Sequence, residues 1–160
     1  GYDIACEVLK KLSNTDHSIF LFGGKPGVAE KAAENLKKNY PGIKIAGMRN
    51  GYFKPEEEPE IVKEINSSGA DVVFVCLGAP KQEMWINAHK DELRAKVAMG
   101  IGGSLDVFAG TAERAPDFFC KTGLEWLYRL YKEPWRAKRM MDLPKFALTV
   151  LAKGGKYKQD

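Results

Sequence analysis

The sequence has 160 residues, of which 44% are hydrophobic and 29% are charged, as in ordinary globular proteins. This composition supplies a hydrophobic core and excludes a disordered chain, a collagen and a disulfide-rich miniprotein. Three widely spaced cysteines and two histidines, with neither a Cys-x-x-Cys nor a His-Glu-x-x-His motif, favour a reducing compartment and argue against a zinc site.

The positive charge is concentrated in the last quarter of the chain. Residues 121–160 contain 10 Lys and Arg against 4 Asp and Glu, a net charge of +6, whereas residues 1–120 contain 15 against 17, a net charge of −2. A basic segment favours a nucleic acid, an anionic membrane surface or a phosphorylated ligand, and a solvated helix face is the alternative. The longest apolar run, 146–152, is far shorter than the roughly 20 residues of a membrane-spanning helix.

Four β-rich segments alternate with three helical segments in the first two thirds of the sequence. The predicted strands are 18–22, 43–47, 72–77 and 97–101, and the predicted helices are 26–40, 55–68 and 80–93, each with a proline near its first turn. Such alternation is typical of β-α-β units in a parallel sheet. The third strand is apolar on both faces, as expected of a central strand. The predicted fold class is α/β, a Rossmann-like parallel sheet sandwiched by helices.

Beyond residue 101 the alternation stops. The segments 115–133 and 134–152 are predicted as helices, and two prolines, Pro134 and Pro144, start or interrupt their pieces. The sequence therefore predicts two parts, an α/β core over residues 1–114 and a helical, basic appendage over residues 115–160.

The first two predicted strands end in residues that suit a nucleotide. In open parallel sheets, ligands bind beyond the carboxyl ends of the strands. The first strand runs into Gly23 and Gly24, and such a turn can offer backbone N–H groups to a phosphate. It is neither a Walker loop nor a Gly-x-Gly-x-x-Gly fingerprint. The second strand leads to Tyr52 and Phe53, whose rings either stack on a nucleobase or pack against the protein.

The third predicted strand ends in a polar cluster. Lys81, Gln82 and Glu83 bring an ammonium, an amide and a carboxylate into the first turn of a helix. Together they could orient a polyol or a diphosphate, and helix capping with solvation is the alternative.

The fourth predicted strand ends in glycines followed by a carboxylate. Gly102 and Gly103 allow a ligand to approach the backbone closely, and Ser104 is predicted as a helix N-cap. Asp106 could accept hydrogen bonds from ribose or sugar hydroxyls, or it could cap the short helix.

Basic residues of the appendage fall at helical spacing. Arg129, Lys132, Arg136 and Arg139 are separated by 3, 4 and 3 residues and would form one stripe on a continuous helix. Several guanidinium groups directed to one place suit a diphosphate. The apolar run 146–152, flanked by lysines, suits the surface of an anionic bilayer, and packing on the core is the alternative. The sequence has no Asp-x-Asp motif, so a metal-bridged nucleotide-sugar site is not expected.

Several motifs together resemble the WecG/TagA/CpsF family of bacterial glycosyltransferases. The likeness covers essentially the whole chain and is carried by Phe-Gly-Gly-Lys-Pro-Gly-Val at 22–28, Gly-Tyr-Phe at 51–53, Gly-Ala-Pro-Lys-Gln-Glu at 78–83, Gly-Gly-Ser-Leu-Asp-Val at 102–107, Arg-Ala-Pro at 114–116, Gly-Leu-Glu-Trp-Leu-Tyr-Arg at 123–129 and Glu-Pro-Trp-Arg at 133–136.

The resemblance implies transfer of N-acetylmannosamine, or a related sugar, from a UDP donor to an undecaprenyl-diphosphate-linked acceptor. It implies inversion of configuration, no metal and no other cofactor, and products that feed wall teichoic acid, common antigen or exopolysaccharide synthesis. The expected location is cytoplasmic and peripheral, on the inner face of the bacterial plasma membrane.

The resemblance also implies roles for individual residues. Gln82 is expected in the active-site pocket, and Tyr52 and Asp106 near the UDP moiety. The candidate catalytic residues are Gln82, Arg129, Arg136 and Arg139, the arginines closing over the diphosphate. With the glycine turns added, the candidate nucleotide-binding residues are Gly23, Gly24, Tyr52, Gly103 and Asp106.

One family feature is missing from the sequence. The family carries an N-terminal Pro-Asp-Gly motif whose Asp is the proposed general base, and this chain contains no Asp-Gly pair, so we expect an N-terminally truncated chain. An exposed sheet edge would then favour a homo-oligomer. A catalytically incomplete UDP-sugar-binding module is the alternative function. Nucleic-acid binding is not expected, because the net charge of residues 1–120 is −2.

Overall fold

The computed structural model describes residues 1–113 together with residues 116, 128 and 131. The chain divides into two units, Gly1–Glu113 and Arg114–Asp160. The division into a core and an appendage at residue 114 stays a prediction, as do the helices expected at 115–133 and 134–152. Within the described residues, no helix is both long enough and apolar enough to cross a membrane.

Helices and strands alternate regularly through the first unit. They are α1 (Tyr2–Leu12), β1 (Ser18–Gly23), α2 (Val28–Asn39), β2 (Lys44–Arg49), a 3-10 turn (Pro55–Glu57), α3 (Glu58–Ser68), β3 (Val72–Cys76), α4 (Lys81–His89), β4 (Val97–Gly100) and α5 (Ser104–Phe108). The strands match the predicted ones to within two residues. The α4 helix ends at His89, whereas the prediction extended it to residue 93.

The helix starts differ from the prediction in their capping. Gly27 is the N-cap of α2 and Pro80 is the N-cap of α4, so Pro26 and Pro80 precede the helices. The predicted cap Ser104 is instead the first residue of α5, with Gly103 at the N-cap. The Ser104 hydroxyl donates a hydrogen bond to the Ile101 carbonyl (2.7 Å), which removes it from the capping position.

The four strands form one parallel sheet in the order β2-β1-β3-β4. This confirms the predicted α/β class. The β1 and β3 strands occupy the centre, and all five residues of β3 are buried, as the apolar pattern predicted. Phe22 in β1 is paired with Val75 in β3, which is paired in turn with Gly100 in β4. The carboxyl ends of the strands therefore lie along one edge.

Alternate side chains of the central strands enter two separate cores. Leu21 and Phe74 face the layer of α1, α2 and α5, whereas Phe22 and Val75 face α3 and α4. On the second face, the rings of Phe22 and Trp85 meet edge to face with centroids 4.8 Å apart, which packs α4 on the sheet. This packing fixes the first turn of α4 at the carboxyl edge.

The opposite edge of the sheet is tied together by Asp71. Its carboxylate accepts a hydrogen bond from the Ser18 backbone N–H (3.0 Å), where β1 begins, and pairs with Lys96 (2.8 Å), just before β4. His17 lies 3.3 Å away. The Lys96 contact, followed by the Ser18 N–H, lowers the pKa of Asp71 to about 2. The carboxylate thus holds the starts of neighbouring strands in register.

Candidate functional site

The candidate site lies where the chain leaves β1 and β3. The order β2-β1-β3-β4 makes these two strands neighbours although β2 lies between them in sequence, so the chain connections diverge from this point. Ligands of doubly wound folds bind in the crevice at such a switch point. A ligand is therefore expected at the turns that begin at Gly23 and after Cys76.

The bottom of this crevice is built of backbone. The Gly24 N–H donates to the Cys76 carbonyl (3.2 Å), and the Gly51 N–H donates to the Gly24 carbonyl (2.9 Å). A Cβ on Gly23, which has a φ of +131°, would lie 2.4 Å from the Cys76 carbonyl oxygen. Gly23 is thus required for close contact between the end of β1 and the end of β3. The Gly24 N–H is engaged within the protein, and phosphate binding by this turn stays a prediction.

Gln82 is a buried polar residue at this edge, only 5% exposed. Its Oε1 accepts a hydrogen bond from the Gly102 backbone N–H (3.0 Å), and its Nε2 donates to Oε1 of Glu83 (2.7 Å). A Cβ on Gly100 would lie 2.7 Å from Nε2 of Gln82, so the glycine makes room for the amide. The first turn of α4 and the turn after β4 are therefore joined through one side chain.

Asp106 and Gly103 lie at the start of α5. Gly103 is the N-cap of α5, and Asp106 is half-buried in its first turn. The backbone carbonyl of Asp106 accepts hydrogen bonds from the N–H and the hydroxyl of Thr111 (2.9 and 3.0 Å). These hydrogen bonds hold the backbone of Asp106, the residue that carries the candidate carboxylate. The structure does not use Asp106 as the N-cap of α5.

The pKa of the Cys76 thiol is affected by burial and by the charge of Asp106. Burial raises the pKa of the Cys76 thiol above its usual range, and the neighbouring Asp106 carboxylate raises it further. The thiol is therefore protonated at neutral pH and is a poor nucleophile.

An open pocket of about 620 Å³ follows β2. Its lining is formed by Gly51, Tyr52, Phe53, Lys54, Glu57, Leu77 and Lys81. Tyr52 is 66% exposed, whereas Phe53 packs on Phe22 with ring centroids 5.6 Å apart. Phe53 is thus packed against the protein, whereas stacking of the exposed Tyr52 ring on a nucleobase stays a prediction. Lys81 Nζ lies 4.2 Å from the centre of the Phe53 ring.

Two residues in this pocket were missed by the sequence analysis. Lys54 contributes a cation and Glu57 a carboxylate to the lining. Glu57 accepts from the Lys54 backbone N–H (2.7 Å) and pairs with Arg49 (3.5 Å), which also pairs with Glu64 (2.7 Å). In sequence they appear only as a helix start of the type Lys-Pro-Glu-Glu, which gives no signal of a pocket.

The structure brings six of the nine predicted site residues to one sheet edge. Gly23 is the last residue of β1, and the other five follow strand ends: Gly24, Tyr52, Gln82, Gly103 and Asp106. The predicted catalytic arginines Arg129, Arg136 and Arg139 lie outside the described residues. In the part of the chain that the structure describes, no three His, Cys, Asp or Glu side chains gather as metal ligands.

Comparison with known proteins gives a family and close relatives. The chain is 42% identical over 151 residues to the N-acetylglucosaminyldiphosphoundecaprenol N-acetyl-beta-D-mannosaminyltransferase of Bacillus subtilis (strain 168). It is 40% identical over 151 residues to the enzyme of the same name from Bacillus spizizenii (strain ATCC 23059 / NRRL B-14472 / W23). Each match covers 94% of this chain and 58% of the relative, so the chain spans less than two thirds of their length.

The family assignment agrees with the motifs found in the sequence. The sequence model described as "Glycosyl transferase WecG/TagA/CpsF family" matches residues 1–160. The chain belongs to the WecG/TagA/CpsF family of glycosyl transferases.

Proposed function

We propose that this protein transfers N-acetylmannosamine, or a related sugar, from a UDP donor to an undecaprenyl-diphosphate-linked acceptor. The acceptor and the sugar are those in the names of the two Bacillus relatives. The observation that carries the proposal is the placement of Gly23, Gly24, Gln82 and Asp106 at or just after the carboxyl ends of β1, β3 and β4, which are neighbours in one parallel sheet. This is the position where such folds hold a nucleotide.

In the proposed complex, the UDP moiety lies beyond β1 and β3. Tyr52 is exposed at the pocket after β2, so its ring can pack on the nucleoside. The Asp106 carboxylate can accept hydrogen bonds from ribose or sugar hydroxyls. Gln82, fixed on both sides of its amide, orients the sugar near the Gly102–Gly103 turn.

The departing UDP needs positive charge as the glycosidic bond breaks. Arg129, Arg136 and Arg139 are proposed to supply it, because a guanidinium group offers a planar pair of donors to phosphate oxygens. The transfer is proposed to invert the configuration at the anomeric carbon and to proceed without a metal, as the family resemblance implies. The products are proposed to enter wall teichoic acid or exopolysaccharide synthesis.

The basic segment is proposed to hold the protein on the inner face of the bacterial plasma membrane. Residues 134–160 carry seven Lys and Arg against two Asp, a net charge of +5. Anionic lipids attract such a segment at about 1 kcal/mol per basic residue close to the surface. The location suits an acceptor that is itself anchored in the bilayer.

The test is a calorimetric titration of the chain with UDP, with Mg²⁺ and with a chelator. We expect UDP to bind with the same affinity in both, and failure to bind in either would contradict the proposed donor site. A second assay follows sugar transfer from UDP-N-acetylmannosamine to a synthetic N-acetylglucosaminyl-diphospholipid by mass spectrometry. Binding without transfer would support the alternative, a UDP-sugar-binding module.

A further inference from the structure

The buried amide of Gln82 lies between two partners of different chemistry. On one side, its Oε1 accepts from the Gly102 backbone N–H at 3.0 Å. On the other side, its Nε2 donates to the Glu83 carboxylate at 2.7 Å. Glu83 is itself exposed, so a surface carboxylate contacts a side chain that is only 5% exposed.

These two partners allow only one orientation of the amide. A backbone N–H can only donate, and an ionised carboxylate can only accept. Turning the Gln82 amide by 180° would set two donors against each other at Gly102 and two acceptors against each other at Glu83. Because the hydrogen bond to the carboxylate is charge-assisted, it is roughly twice as strong as one between neutral groups. Glu83 therefore contributes strongly to the choice of orientation.

We infer that Glu83 is a positioning residue of the site, which fixes the Gln82 amide and, through it, the backbone turn at Gly102 that leads into α5. Its meaning for catalysis rests on the proposed function. Gly102 has a φ of +56°, and a Cβ there would have no atom of the described residues within 4 Å, so no side chain among them holds this turn on that side. The hydrogen bond that the Gly102 N–H donates to Gln82 Oε1 restrains the turn instead, and Asp106 follows four residues later.

Exchange of the two side-chain types provides a sharp test. Glu83→Gln is isosteric but removes the charge, and its amide can pair with Gln82 in either orientation. Gln82→Glu places two carboxylates at the distance of a hydrogen bond. The double variant Gln82→Glu/Glu83→Gln restores one donor and one acceptor, because a carboxylate at 82 accepts from both Gly102 and the new amide at 83.

The readouts are the Gly102 amide proton in ¹⁵N–¹H NMR spectra of the 160-residue chain and the thermal midpoint of each variant. We expect Glu83→Gln to shift the Gly102 amide proton upfield and to speed its exchange with solvent by about threefold or more. Gln82→Glu should lower the midpoint, and the double variant should recover both the midpoint and the Gly102 signal. Glu30→Gln is the matched control, because it removes an exposed glutamate from the first turn of α2.

The outcomes separate this inference from the proposed function. A Gly102 signal that is the same in Glu83→Gln and in the original chain would overturn the positioning role, as would strictly additive effects of the two single substitutions. UDP titration of the same samples tests the donor site independently. If the original chain fails to bind UDP, the proposed function fails, while the Gly102 spectra still decide the role of Glu83.

Discussion

A Cβ on Gly100 would lie 2.7 Å from Nε2 of Gln82, which is closer than real Cβ contacts allow. Gly100→Ala should therefore displace the amide from Gly102. Because the obstructed group is the end of a side chain, we expect the fold to persist with a similar thermal midpoint. In the proposed transferase, the turnover number should fall by up to about a hundredfold, as for other small misplacements of site groups.

Gly69→Ala serves as the control for Gly100→Ala. Gly69 is the C-cap of α3 with a φ of +69°, and a Cβ there meets open space. The Gly69→Ala substitution should lower the unfolding free energy by about 1 kcal/mol through backbone strain and leave the turnover number unchanged. Unchanged kinetics in Gly100→Ala would show that the position of the Gln82 amide does not matter for transfer.

Gly23→Ala should damage the fold itself. A Cβ there would lie 2.4 Å from the Cys76 carbonyl oxygen, and the φ of +131° is unfavourable for any other residue. The obstructing atom belongs to the backbone of the central strand β3, so it cannot rotate away. We expect a loss of about 3 kcal/mol in unfolding free energy, measured by urea denaturation. An unchanged midpoint would contradict the close contact of the two strand ends.

Tyr52→Ala should weaken UDP binding by about tenfold, whereas Tyr52→Phe should bind nearly as well as the original chain. The reason is that the proposed contact uses the face of the ring and not its hydroxyl group. Calorimetric titration measures both. Val97→Ala is the control, because Val97 is 49% exposed at the amino end of β4, away from the carboxyl edge. If the original chain and the three variants all bind UDP with equal affinity, Tyr52 does not contact the donor.

Acid should loosen the amino edge of the sheet through Asp71. Its pKa is about 2 in the folded chain against an ordinary value of 3.8, so its stabilising effect is present above pH 4 and is lost as the pH falls from about 4 to 2. Asp71→Asn should lower stability at neutral pH and make the unfolding midpoint less dependent on pH in that window. Asp91→Asn is a control, since Asp91 is exposed and lies between α4 and β4. If Asp71→Asn keeps the full pH dependence, other groups are responsible.

Vesicle binding tests the proposed membrane location. The chain should bind vesicles of anionic lipid at low salt, release from them as salt increases, and ignore vesicles of neutral lipid. Deletion of residues 134–160 should abolish the binding, because it removes a net charge of +5. Binding that does not respond to salt, or that survives the deletion, would argue against this electrostatic attachment.

The sequence predicted the strands well, because their apolar runs are bounded by glycine and proline. It did not predict α1 as a helix, although Ala5, Leu9 and Leu12 are buried at helical spacing. Capping was predicted less well. Ser104 was expected at the N-cap of α5 but is its first residue, and Pro80 was expected inside α4 but is its N-cap. These shifts of one or two residues depend on local backbone geometry, which residue type alone does not specify.

The candidate site shows a similar division. Strand ends could be recognised in the sequence, and parallel pairing brings them together, so Gly24, Gln82 and Asp106 were predicted at one edge. The contact between Gln82 and Gly102 could not be predicted, because it joins residues 20 positions apart through the packing of α4 on the sheet. The lining by Lys54 and Glu57 was also missed, since their spacing indicates only a helix start.

The backbone hydrogen bonds that join Gly24 to Cys76 and to Gly51 have an evolutionary consequence. A surface made of main-chain atoms is nearly the same whichever side chains surround it, and the glycines in it tolerate few replacements. Point mutations can therefore change the floor of the crevice very little. Variation between members of the family should accumulate instead in the walls of the neighbouring pocket, at positions such as Lys54 and Lys81.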